Sequence, residues 1–271
     1  MSNIQLQYQS VINTPNLWSS TSATFYNLEQ YIIPQKKISK IIHENLDKNL
    51  RLGHKVEYFI NHFLSNECGN ELLLKNTQIN ASPQETIGEI DAIFRIRKEI
   101  FHLEYSYKFY LFDHKLEQPF INCWIGPNKK DSLNQKLKKL KENQLPLLYH
   151  KITRQLLEHH DLFLEDINQR IILKAQLFVP EDSILKYPDG INREAIAGIH
   201  LKLIQLNKYS KCKFFIPTKH DWLIPIQKNV NWISFDLIYP KILNFHEKQL
   251  SPMVWIKFHS GQHLKCFVTW W

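Results

Sequence analysis

IGEIDAIFRIRKEIFHLEYSYKFYLF, residues Ile87 to Phe112, is the stretch on which the reading of this chain turns. Two apolar runs rich in Ile, Phe and Tyr flank Arg97-Lys98-Glu99, the pattern of two antiparallel strands joined by a tight, charged connection. Alternate side chains of a strand face opposite ways. That period groups Glu89, Asp91 and Ile93 on the first strand, and His102, Glu104, Ser106, Lys108 and Tyr110 on the second. Acidic residues are depleted in strands, and a carboxylate among apolar neighbours is costly unless a proton, a cation or several donors compensate it. Mg²⁺ is one such compensation, because it takes one or two carboxylates together with waters and phosphate oxygens. Asp91 and Glu104 are the pair expected to share an ion, with Lys108 offsetting their charge and holding the attacking water. The alternative is an internal ion-pair network of Glu89, Asp91, Glu104 and Lys108 without a metal.

Gly88-Glu89-Ile90-Asp91 followed by Glu104-Tyr105-Ser106-Tyr107-Lys108 resembles the PD-(D/E)XK nuclease superfamily, which places an Asp and then an acid-x-Lys motif on a central hairpin. The chain is more closely similar to the DUF1853 family. The shared features are the GE-x-D segment, the His102 to Leu111 run, Gly126-Pro127-Asn128 with Asp131-Ser132-Leu133, and Asn143-Gln144-Leu145. The superfamily's lysine stands two residues after the acid, where this chain has Ser106; Lys108 keeps the face but shifts the ammonium by about 6–7 Å. The resemblance implies a restriction-endonuclease-like core and a hydrolase cutting DNA phosphodiester bonds with Mg²⁺ or Mn²⁺. Asp91, Glu104 and Lys108 would be its catalytic residues. An acid on the helix before the hairpin is a further ligand in such enzymes, and Glu57 matches it here; Glu89 is a second additional candidate. A non-catalytic nucleic-acid-binding or interaction protein that retains the fold is the alternative.

Upstream, Ile38, Ile41, Ile42, Leu46 and Leu50 predict an amphipathic helix from Lys36, and Val56, Phe59, Ile60, Phe63 and Leu64 a second one. Glu57 lies at the edge of this second face, where a solvated glutamate is the plain alternative. Residues 1–35 read as short helical pieces. Glu71 to Ile79 and Phe120 to Ile125 read as strands around the hairpin. Asp131 to Leu145 predicts a helix flanked and covered by lysines, and Lys129, Lys130, Lys136 and Lys139 with Gln144 are candidates for contact with nucleic-acid phosphates. A solvated helix face is the other account of that charge run. Gln144 with Tyr149 resembles, with one extra residue of spacing, the Gln-x-x-x-Tyr element of RecB-like nucleases.

The C-terminal part reads as a strand over Ile171 to Val179, a helix over Arg193 to Leu206, and short strands at Lys213–Ile216, Trp222–Ile226, Trp232–Ile238, Val254–Phe258 and Leu264–Trp270. The expected fold class is therefore α/β, a mixed central sheet flanked by helices, with a smaller β-rich C-terminal part. The expected division is 1–165 and 166–271.

The 271 residues carry a formal charge of +8, which favours a polyanionic partner, DNA foremost. Four widely spaced cysteines without a C-x-x-C pair fit reduced thiols, and the opening MSNIQLQYQS has no leader pattern. A soluble cytoplasmic protein without a membrane span is the expectation. Seven glycines and no Gly-rich phosphate loop argue against a nucleotide cofactor. His259, His263 and Cys266 have zinc-compatible spacing but no evident fourth ligand.

Overall fold

The structure is a computed structural model that describes residues 3–18, 24–39, 42, 46, 50–116, 120–181 and 190–271. In chain order the elements are α1 (Asn3–Asn13), β1 (Thr24–Phe25), β2 (Leu28–Glu29), α2 (Leu52–His62), β3 (Glu71–Ser82), β4 (Glu85–Ile96), β5 (Glu99–Phe112), β6 (Trp124–Ile125), α3 (Leu133–Lys139), α4 (Lys151–His159), β7 (Ile167–Pro180), β8 (Ile196–Lys202), β9 (Lys213–Phe215), α5 (Phe235–Glu247), β10 (Met253–Lys257) and β11 (His263–Thr269). The architecture is mixed α/β, with a large mixed sheet flanked by helices. The chain forms two compact units, each made from two stretches: Met1–Tyr107 with Gln135–Lys174, and Lys108–Asn134 with Ala175–Trp271.

In the first unit β3, β4, β5 and β7 follow one another across the sheet. The β4–β5 connection is a two-residue turn, Arg97-Lys98, closed by Ile96 opposite Glu99, with Arg97 in the left-handed region at φ 58°. Alternation and the charged break thus produce the expected hairpin. Its apolar residues Ile90 and Ile93 pack with Ile79 of β3 and with Leu147, Leu148 and Leu157 of the helical run after α3. Lys174 is buried and donates from Nζ to the carbonyls of Ile12 and Thr14 at the end of α1, where a cation meets the negative end of the helix. Burial pulls its ammonium down to about 7.

In the second unit β8 lies between β7 and β11 and runs parallel to both, while β10 is antiparallel to β11 and to β9. Ile238 and Ile242, one turn apart on α5, are fully buried against Phe214, Val254 and Val268. Gly198 on β8 permits the close approach of β8 to β11: a Cβ there would stand 2.1 Å from the Lys265 carbonyl oxygen of β11. Because the obstacle is backbone, Gly198→Ala is expected to cost roughly 1–3 kcal/mol, the range of an overpacked core, and to lower Tm by several degrees in a thermal melt. An unchanged Tm would show that β8 and β11 are not held so closely.

Several sequence expectations are corrected. Phe120–Cys123 is a 3₁₀ turn, and only Trp124–Ile125 pairs, with the end of β5. The helix expected over Arg193 to Leu206 is a 3₁₀ turn, then strand β8, then a second 3₁₀ turn Leu203–Tyr209. Trp222 lies in a 3₁₀ turn, Lys219–Leu223, and the strand expected from Trp232 gives way to helix α5 after an isolated bridge between Phe214 and Ile233. The helix expected from Lys36 lies largely outside the described residues, and residues 36–39 are not helical. Among the described residues no helix is long and apolar enough to cross a membrane.

Candidate functional site

Strands β4 and β5 stay in register from Ile96 opposite Glu99 to Ala92 opposite Leu103. At the next position, where Asp91 would face Glu104, the ladder stops and the two acids take over its hydrogen bonds. The Asp91 amide donates to Glu104 Oε1 at 3.5 Å, and the Tyr105 amide donates to Asp91 Oδ2 at 2.7 Å. The hairpin therefore brings Asp91 and Glu104 together, with Asp91 7% exposed and Glu104 sealed.

The two carboxylates are unequally served. Glu104 Oε1 accepts from His102 Nε2 at 2.9 Å, and Oε2 accepts from Gln144 Nε2 at 2.5 Å. Gln169 fixes the imidazole tautomer. Its Nε2 donates to the Leu145 carbonyl at 2.7 Å, so that nitrogen cannot be the acceptor end of the amide, and it reaches His102 Nδ1 at 3.0 Å. Nδ1 thus accepts, and the ring proton sits on Nε2 facing Glu104. Gln144 Oε1 in turn accepts from Lys136 Nζ at 2.8 Å, so the amide relays an ammonium to the acid pair. Asp91 receives one donor, and its Oδ1 has no hydrogen bond from the described residues. Burial, then repulsion from Glu104, pushes the Asp91 carboxyl up to about 8, against the pull of the Tyr105 amide; Glu57 raises it further and Lys136 lowers it. Glu104 collects the donors and Asp91 takes the proton.

Glu57 and Glu89 form a second acidic pair in the same unit. Asn76 Nδ2 donates to Glu57 Oε2 at 3.0 Å and to Glu89 Oε1 at 3.4 Å, and His54 Nδ1 lies 3.2 Å from Glu57 Oε2. Asn76 stands in the left-handed region at φ 45° within β3, a conformation Asn tolerates better than branched residues. The only sequence sign of it was an Asn where strand formers prevail. Gln169 carried no sequence sign of its role, since its partner is 67 positions away; His102 shares the strand face of Glu104 and Lys136 the helical run of Gln144, but nothing in the sequence marked either as a donor to the acid pair.

Lys108 lies in the second unit, where its Nζ pairs with Asp131 Oδ2 at 2.7 Å. Asp131 also closes the Gly126 turn, its carbonyl accepting from the Gly126 amide at 2.8 Å, and a Cβ on Gly126 would meet Asp131 Oδ1 at 1.9 Å. Pro127 and Asn128 tie this turn to the C-terminal segment. The Pro127 carbonyl accepts from Ser251 Oγ and Trp271 Nε1, and Asn128 Oδ1 accepts from the Ser251 amide. Of the expected phosphate-binding lysines, Lys129 lies 3.7 Å from Asp113 and 4.3 Å above the Trp271 ring, whereas Lys130 and Lys139 are exposed.

Among the described residues no group of three or more His, Cys, Asp or Glu side chains forms a metal cluster. The zinc-compatible spacing of His259, His263 and Cys266 is not matched by such a group. What the acid pair offers is one carboxyl oxygen without a hydrogen bond among the described residues, Asp91 Oδ1, and a proton held more tightly than in a free carboxyl.

A domain-family model described as Domain of unknown function (DUF1853) matches residues 7–262. The chain belongs to the DUF1853 family. No curated protein and no solved structure matches it.

Proposed function

We propose that the first unit is a metal-dependent phosphodiesterase acting on nucleic acid, DNA foremost, with Mg²⁺ or Mn²⁺ as its ion. The observation that carries this reading is the splayed hairpin, where Asp91 and Glu104 replace the ladder and one uncompensated carboxyl holds a proton near neutral pH. The order α2, β3-β4-β5, a helical segment and β7 supports it, being the succession expected of a restriction-endonuclease-like core.

Asp91 through Oδ1, with Glu104 beside it, would hold the ion, and Glu57 and Glu89 are available for a second one or for orienting water. When bound, the ion supplies Lewis-acid polarisation of the phosphate and lowers the pKa of a coordinated water. Gln144 and His102 hold the Glu104 carboxylate in one orientation. Lys136 is the cation we assign to the acids, because it acts on Asp91 and reaches Glu104 through Gln144, while the charge of Lys108 is engaged by Asp131. The exposed Lys138, Lys139 and Lys141 provide charge for the substrate backbone.

The test is cleavage of labelled single- and double-stranded DNA with Mg²⁺ or Mn²⁺. Wild type is expected to cut, and Asp91→Ala and Glu104→Ala are expected to lose the activity; equal cutting by all three would overturn the assignment. The complete enclosure of Glu104, with both oxygens hydrogen-bonded, favours one second reading: a binding protein without turnover. Salt-sensitive DNA binding with no metal-dependent cutting would select it.

A further inference from the structure

We propose that the cleft beside the Glu57–Glu89 pair binds an unpaired nucleobase, so that the substrate of this site is single-stranded. The inference rests on the phosphodiesterase reading for the reaction and adds the form of the substrate. The cleft has a volume of about 730 Å³, lies wholly within the first unit and is walled by α2, its continuation and β3. That continuation, Phe63–Glu67, is a π-helical turn, a distortion that recurs at functional sites.

The charge of the lining argues against a phosphate. Among the described residues the lining carries one lysine, Lys75, against two acids, Glu57 and Glu89, so a backbone laid along this wall would meet net negative charge. A neutral aromatic ring meets no such penalty. The lining is also built as a base platform. Tyr58 is 37% exposed, and one face of its ring lies on His62, with centroids 6.1 Å apart and planes at 26°. His62 is fixed from behind by the buried Tyr8, edge-on at 5.4 Å, and from the side by Asn66 Nδ2, 3.1 Å from its Nδ1. A rigid ring with a second face to offer is what stacking on a base requires.

Hydrogen-bonding groups for a base edge stand around it. Asn61 is buried, and its Oδ1 accepts from the Tyr105 hydroxyl at 2.8 Å, which leaves its Nδ2 at the cleft wall without a partner among the described residues. Tyr105 is the residue whose amide serves Asp91, so the base-reading amide and the acid pair are tied through one side chain and its own backbone. Gln78 adds a second amide with no side-chain hydrogen bond among the described residues. In a duplex the base faces are covered by their neighbours and the pairing edges are used, so such a slot admits a base only when the strand is open.

The experiment is fluorescence anisotropy of the full chain with a labelled 12-nucleotide single strand and the matching blunt duplex, in EDTA so that no cutting occurs. Wild type is expected to bind the single strand more tightly than the duplex. Tyr58→Ala should weaken single-strand binding by about tenfold or more, the scale of one lost base stack, and leave duplex binding unchanged; Tyr58→Phe should keep wild-type affinity. Duplex bound as tightly as single strand, or no effect of Tyr58→Ala, overturns the base site. A parallel Mg²⁺ cleavage assay separates the two claims. Cutting that ignores Tyr58 removes the base site and leaves the reaction, whereas Tyr58-dependent binding without cutting removes the reaction and leaves the base site.

Discussion

Asp91→Asn is expected to stabilise the protein at pH 8–9, by several kcal/mol, and to flatten its stability between pH 4 and pH 8. The Asp91 carboxyl is raised from 3.8 to about 8 by burial and by Glu104. A folded state that holds its proton more tightly than the unfolded chain gains stability from it. That gain is complete below the unfolded value near pH 4 and is lost as pH rises through about 8. Every tenfold difference in proton affinity between the folded and unfolded chain is worth about 1.4 kcal/mol. Asn keeps an oxygen for the Tyr105 amide and can turn its amide nitrogen toward Glu104, so the variant loses the titration without losing the contact. Near pH 4 the two proteins should melt together; at pH 9 the variant should melt higher by roughly 10–20 °C, given about 2–4 °C per kcal/mol for a chain of this size. Parallel curves across the range would mean that Asp91 is not the strained acid.

Lys136→Ala is expected to lower turnover by about 10²–10³-fold, the loss seen when one preorganised charge partner is removed from an active site. Lys108→Ala should change it little, because its ammonium is matched to Asp131 and both are substantially exposed. The pH profile distinguishes a specific role for Lys136 from general damage. Lys136 holds the Asp91 carboxyl down, so without it the carboxyl titrates higher and the acid limb of the profile must move to higher pH. A larger effect at Lys108, or an unmoved acid limb in Lys136→Ala, would return the role to Lys108.

The hairpin was legible in the sequence because two signals agreed there: alternation over a dozen residues on each side, and a charged break at the turn. The same signals misled further on. Ile233-Ser234-Phe235-Asp236-Leu237-Ile238 alternates like a strand and is followed by Pro240, which argues against a helix interior; yet Ile238 and Ile242 bury one stripe and the chain is helical from Phe235. Conversely Ile196–Lys202 carries enough apolar residues for a helix, and pairing with β7 and β11 makes it a strand. The composition suggests a division near residue 165; the two compact units are each made from two stretches of the chain.

At the site, Asp91 and Glu104 could be singled out because charge inside an apolar strand is conspicuous wherever it occurs. The part their neighbours play in holding them could not be read the same way. Gln169 reaches His102 across 67 positions and Gln144 reaches Glu104 across 40, and a polar residue on a helix or loop gives no hint that its partner is a buried acid. Lys108 is expected at the site because it shares the strand face of Glu104; its ammonium pairs with Asp131, and contact directs attention to Lys136.

On the reading proposed above, the Asp91–Glu104 pair holds a proton that a divalent ion replaces. Calorimetric titration of the full chain with Mn²⁺ at pH 7, in two buffers of different ionisation enthalpy, measures the protons released on binding. Saturable binding with release of close to one proton is predicted, as ligands deprotonate to take a metal, together with loss of that release in Asp91→Asn. Binding without proton release, or release that survives in Asp91→Asn, would contradict it.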